Sequence, residues 1–123
     1  MIDNWERETI ASNFHNVFSL IQPNHSPGFA YAIYPHGLHK SERAHILVAG
    51  DGDYSAHCLY PRGDSSAFEY TNTIFMNAGG TVATLETSDL DKNDWIEVWM
   101  PNYDKSYIEL FTLSPADSSN FNQ

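Results

Sequence analysis

Oxygen donors crowd one short stretch of this chain: Asp89, Asp91, Asn93 and Asp94. Such a cluster suits a hard cation such as calcium. An EF-hand loop needs glycine at its sixth position and glutamate at its twelfth. Counted from Asp89, those positions hold Asp94 and Met100, so the pattern fails and the segment reads as a solvated turn. Asp51 and Asp53 form a second acidic pair with the same reading. The six histidines are His15, His25, His36, His39, His45 and His57. His36 and His39 flank Gly37 just after Pro35, so no helix aligns them, and zinc would need ligands that nothing singles out. No metal site and no cofactor is expected.

Nucleophilic chemistry is equally poorly supplied. Cys58 is the one cysteine, so no disulfide can form within the chain. It reads as a small hydrophobe buried in a strand. A thiol nucleophile would need a base, and neighbouring His57 would point to the opposite face of that strand. His25 with Ser26, or His57 with Asp51 or Asp53, can be drawn as a hydrolytic set. The Gly-x-Ser-x-Gly elbow and the glycine-rich phosphate loop are both missing. The expectation is a protein that is not an enzyme, with no catalytic residues.

Arg62-Gly63-Asp64 is the integrin-attachment tripeptide, in a segment that reads as an exposed turn. In that role Arg62 would enter an acidic groove and Asp64 would complete a metal site on a receptor. The plainer reading is a turn with glycine at its tight position. Arg62, Gly63 and Asp64 are therefore candidate partner-binding residues.

The elements that hold these residues follow from periodicity. Phe29, Tyr31 and Ile33 alternate with Ala30, Ala32 and Tyr34, and Tyr54, Ala56, Cys58 and Tyr60 repeat the period of two. Ala44–Ala49 is a short apolar strand that ends at Gly50-Asp51-Gly52-Asp53, a turn rich in residues that tolerate positive φ. Phe68–Met76, Thr81–Thr87, Trp95–Met100 and Ser106–Leu113 complete the set. Residues 14–21 fit either a helix end or a strand, and Asp3 or Asn4 could cap a short helix through Glu6, Arg7 and Ile10. The spacing predicts seven or eight strands in an all-β, antiparallel β-sandwich of jelly-roll type, with that short N-terminal helix as an option. Residues 1–113 read as a single domain and 114–123 as a polar tail. No internal repeat is present.

Composition bounds the partners. Hydrophobic residues make up 41% of the 123, enough for a packed core rather than a disordered chain. Six basic residues against 16 acidic ones give a net charge of −10, which repels phosphate backbones and argues against direct nucleic-acid binding. No apolar run approaches the roughly 20 residues of a membrane-spanning helix, so no membrane insertion is expected. Met1–Glu8 is polar and acidic, unlike a signal peptide. In the last strands Ile96, Val98 and Met100 share one face and Trp95 and Trp99 the other. Apolar residues on both faces point to a second covering layer or to a subunit contact, where aromatics are enriched. Trp95, Trp99, Tyr103 and Tyr107 are the candidate interface residues.

Gly79-Gly80-Thr81-Val82, Asn93-Asp94-Trp95-Ile96-Glu97-Val98 and Tyr107-Ile108-Glu109-Leu110 follow one another in an order that resembles the closing strands of complement/tumour-necrosis-factor-like trimeric jelly rolls. Glu97-Val98-Trp99-Met100-Pro101-Asn102-Tyr103 is similar to a strand of picorna-like virus capsid proteins that ends in Val-Pro-Tyr-Tyr. Gly50-Asp51-Gly52-Asp53-Tyr54 looks like the Gly-Asp-Asp-Phe strand of those proteins, although here it precedes the Pro-Asn-Tyr segment. Both resemblances imply a jelly roll, oligomeric assembly and no catalysis. The expected function is a structural or binding module, a virion or particle-surface subunit that self-assembles as a homo-oligomer and can take a protein partner. The alternatives are a complement-like extracellular recognition domain, calcium-binding in one version, and a small hydrolase or carbohydrate-binding β domain.

Overall fold

Alternating chains need hydrogen-bond partners along their edges and one dry face, and antiparallel hairpins supply both. The computed structural model describes residues 7–12, 14, 27–35, 43–63 and 68–113. Seven strands run through them: β1 (Ala30–Ile33), β2 (His45–Ala49), β3 (Ser55–Pro61), β4 (Tyr70–Asn77), β5 (Glu86–Ser88), β6 (Glu97–Asn102) and β7 (Tyr107–Thr112). No helix occurs among the described residues. The expected helix is absent over 7–12. Its caps, most of 14–21, and the tail 114–123 lie outside the described residues.

β1-β2-β3-β4 form one sheet and β5-β6-β7 the other, and every pairing is antiparallel. Each sheet is a meander, since hydrogen-bonded neighbours are also neighbours in sequence. Together they make a β-sandwich. Ile33, Leu47, Ala49, Ala56 and Cys58 of the first sheet pack with Val98 and Met100 of the second, and Ala78, Val82 and Leu85 of the link complete the core. Phe75 and Phe111 close one side edge-to-face at 6.1 Å. Leu47, Val82, Leu85, Val98 and Met100 are wholly buried. Each such side chain contributes about 1.5–3 kcal/mol through burial.

The segment expected as a strand over Thr81–Thr87 pairs only at Glu86–Ser88. Residues 81–85 instead cross between the sheets. Their backbone bonds go to loops: Tyr103 N donates to Thr81 O at 3.1 Å and Phe29 N to Ala83 O at 3.4 Å. Val82 and Leu85, three apart, both reach the core, which strict strand alternation would forbid. The β2–β3 turn also differs from expectation. Its positive φ falls on Tyr54 (59°), not on either glycine. Gly50 is needed for space, because a Cβ there would run into the Asp53 carboxylate and the Ser55 carbonyl.

Proline inside a strand is tolerated where no ladder bond is required of it. Pro101 meets that condition, since β5 reaches only Glu97–Trp99 and leaves β6 one strand neighbour at Pro101. One residue on, Asn102 is 1% exposed. Its Nδ2 donates to Ala78 O at 2.9 Å and its Oδ1 accepts from Lys105 N at 3.1 Å. Gly80 must lack a side chain to pass over this amide. Asp104 Oδ2 accepts from both Thr81 N (2.7 Å) and Thr81 Oγ1 (2.8 Å). The backbone bond first, and the hydroxyl second, hold its carboxyl below the ordinary aspartate range.

Two outcomes follow from this junction. Asn102→Ala strands buried polar groups and should lower unfolding stability by about 2 kcal/mol, read from denaturant midpoints at unchanged slope. Asp104 favours folding only while ionised. Its contribution is therefore complete above the ordinary aspartate value and disappears as pH falls through the lowered folded value. The stability gap between wild type and Asp104→Ala should be constant near neutrality and close in acid below about pH 4. Equilibrium unfolding across a pH series measures it.

Candidate functional site

Alternation along β6 sends Val98, Met100 and Asn102 inward, each 0–1% exposed, and Glu97, Trp99 and Pro101 outward. The β6–β7 register places Trp99 opposite Leu110 and Pro101 opposite Ile108. Directly opposed residues share a face, so these four make one apolar patch on the outside of the three-stranded sheet. Ile108 is 66% exposed, Leu110 54% and Trp99 36%. Among the described residues β7 is also an edge strand, with β6 its one neighbour.

Of the expected interface residues, Trp99 stands in this patch. Tyr103 lies 81% exposed in the β6–β7 turn, and Tyr107 lies across from Asn102, on the opposite parity. Trp95 is half-buried where the acidic loop meets β6, and its N–H donates to Asn93 Oδ1 at 2.8 Å. Ile108 and Leu110 were missed as candidates. The signal was present in their period of two, but only the register joins them to Trp99.

Glu97, at the other end of the same outward row, is only 3% exposed. The acidic loop covers it. Glu97 Oε2 accepts from Leu90 N at 2.6 Å, and Oε1 is buried with no hydrogen-bond partner. An unpartnered buried acceptor costs about 1–3 kcal/mol, more when charged. The loop is ordered by its own carboxylates. Asp89 Oδ1 and Oδ2 accept from Asn93 N (3.1 Å) and Asp94 N (3.2 Å). Asp91 accepts from Asn93 N at 3.2 Å and from Asn93 Nδ2 at 2.8 Å. Asp89, Asp91 and Glu97 each bring one carboxylate oxygen to within 4.8 Å of the other two. The turn reading therefore accounted for Asp89 and Asp91 but overlooked Glu97, which looks from sequence like an ordinary strand residue.

His57 and Asp53 do come together. His57 Nε2 lies 2.6 Å from Asp53 Oδ2, Nδ1 lies 3.1 Å from Asn72 Oδ1, and Phe14 packs edge-to-face on the ring at 5.0 Å. The His57 and Asp53 side chains are 3% and 5% exposed. Asp53 Oδ1 also accepts from Ser55 N at 3.0 Å, while Ser55 Oγ turns to Asp53 O at 3.2 Å. Both imidazole nitrogens are thus occupied and the serine hydroxyl faces elsewhere. This cluster pins the β2–β3 turn to β4. Cys58, on the opposite face, is 3% exposed, and burial pushes its thiol up despite a bond with Tyr60. Asp51 does not join His57. It lines a shallow depression of about 300 Å³ with Gly28, Phe29 and Ala83, and is the one titratable side chain among the described residues there.

Arg62 and Gly63 are exposed where β3 ends, and Gly63 has φ 61°. Asp64 lies outside the described residues. Arg62 N donates to Glu69 O at 2.9 Å, and Arg43 donates to both Arg62 O (3.1 Å) and Glu69 O (3.2 Å) while stacking on Tyr70. The backbone at Arg62 is thereby clamped and its side chain left outward.

Asp53→Ala removes the acceptor of a buried imidazole and the cap of a turn. It should lower stability by about 2–3 kcal/mol, whereas Asp51→Ala should stay within about 0.5 kcal/mol. Thermal and chemical unfolding of the two variants measure the contrast. No family model, no curated protein and no solved structure matches this chain.

Proposed function

We propose that this chain is a non-enzymatic assembly module whose outer β6–β7 face packs against the same face of a second copy. The observation that carries the reading is the patch of Trp99, Pro101, Ile108 and Leu110 on a chain of net charge −10. Among the residues of the three strands facing outward, Glu86 is the one exposed charge, because Glu97 is covered. Two copies meeting there bury apolar surface without forcing their acidic surfaces together. The patch is continuous with the edge of β7 that no described strand pairs, where a second chain can also add its backbone. A stable contact buries about 800 Å² per partner, so neighbouring residues must enclose the four at its centre. A virion or particle-surface setting is supported by the capsid-like resemblance of the closing strands.

Sedimentation and light scattering at micromolar concentration test the reading. The expected mass is a multiple of 13.9 kDa. Ile108→Glu and Leu110→Glu should each return the protein to a single chain that still unfolds cooperatively, because both side chains are exposed in the isolated chain, with a midpoint that no longer depends on protein concentration. A wild-type protein that stays monomeric throughout overturns the proposal.

A further inference from the structure

We propose that Asp89, Asp91 and Glu97 form a calcium site under the loop that leads into β6. Three carboxylate oxygens lie mutually within 4.8 Å. At calcium–oxygen distances of about 2.3–2.6 Å, three oxygens spread evenly round one ion stand about 4.0–4.5 Å apart, so small side-chain rotations bring all three onto one ion. No described cationic side chain pairs with Asp89, Asp91 or Glu97. Lys92, the one basic residue of loop 89–94, is exposed.

The second observation is independent of the clustering. Glu97 is 97% covered, one carboxylate oxygen is held by Leu90 N, and the other, Oε1, is buried without a partner. A buried carboxylate oxygen left unmatched on a residue that stands beside two further carboxylates is one that a bound cation would satisfy. Oxygen-only donors of this kind favour calcium over the softer transition metals. Asn93 works as a spacer. It donates to the Asp89 and Asp91 carboxylates and accepts from Trp95 N, which keeps both acids turned toward β6. The inference does not depend on assembly, since Glu97 is covered by its own chain.

Calcium chloride titrated into the whole protein, followed by calorimetry and thermal unfolding against a chelator, tests the site. The expected result is one ion per chain at sub-millimolar to millimolar affinity, the range of extracellular calcium modules at about 10⁻⁴–10⁻³ M. Calcium at about 100 times its dissociation constant should raise the melting temperature by roughly 10 °C. Asp91→Asn sits on the exposed side, should keep the chelator-state melting temperature, and should weaken binding at least about tenfold through loss of one ligand charge. Glu97→Gln should abolish the response while melting no lower than wild type in chelator, because it removes the unmatched buried charge. The proposal is overturned if wild type shows no binding heat and no melting shift at about 5 mM calcium. An equal calcium response in wild type and Asp91→Asn overturns it as well.

Discussion

The amide of Asn102 holds the crossover between the two sheets in place. It lies at the end of β6, wholly enclosed, and grips Ala78 O on the far side of the link. Lys105 Nζ reaches the same carbonyl at 3.0 Å, and Asp104 takes both donors of Thr81. A link without strand pairing has no ladder to satisfy its backbone, so these side-chain bonds stand in for one. With the link anchored at Ala78 and Thr81, Val82 and Leu85 descend into the core between the sheets. A three-stranded sheet has little apolar face of its own, and these two residues widen it.

The inward commitment of Asn102 sets the parity of β6 and hence what the outside of that sheet can do. Val98 and Met100 must follow Asn102 inward, and Glu97, Trp99 and Pro101 must then point out. The apolar patch and the covered glutamate are two ends of one outward row. A slip of one residue would bring Glu97 and Trp99 into the core and expose Val98 and Met100. Burial of the core thus enforces both features, although neither contributes to it.

The four-stranded sheet handles its polar burdens differently. His57 and Asp53 are buried on the outer side of β3, yet every polar atom identified there has a partner. The strained turn at Tyr54 is stabilised by that network, since Asp53 both caps Ser55 and fixes the imidazole. The contrast with Glu97 is one of completion. A satisfied buried cluster rigidifies a turn, whereas an acidic group with an orphaned oxygen has affinity left over for a cation.

Much of the architecture was legible locally. Period-two alternation located β1, β3, β6 and β7 to within a residue or two, since inward and outward positions alternate whatever the partner strand is. The same rule put Val98 and Met100 inside and separated His57 from Cys58. Composition sufficed for a packed core and for the negative net charge. Tertiary structure alone decided the rest. Thr81–Leu85 has strand-like residues, but its neighbours in space are loops, so it became a crossing rather than a ladder. Trp99 joined Ile108 and Leu110 rather than Tyr107 because register, a long-range quantity, assigns cross-strand partners. Glu97 entered the acidic cluster for a similar reason: a loop folded back over a strand, and no spacing rule along the chain encodes that contact. Sequence by itself determined which residues alternate and how much charge the chain carries. The pairing of distant strands determined which of those residues meet, because burial and hydrogen bonding act across space rather than along the backbone.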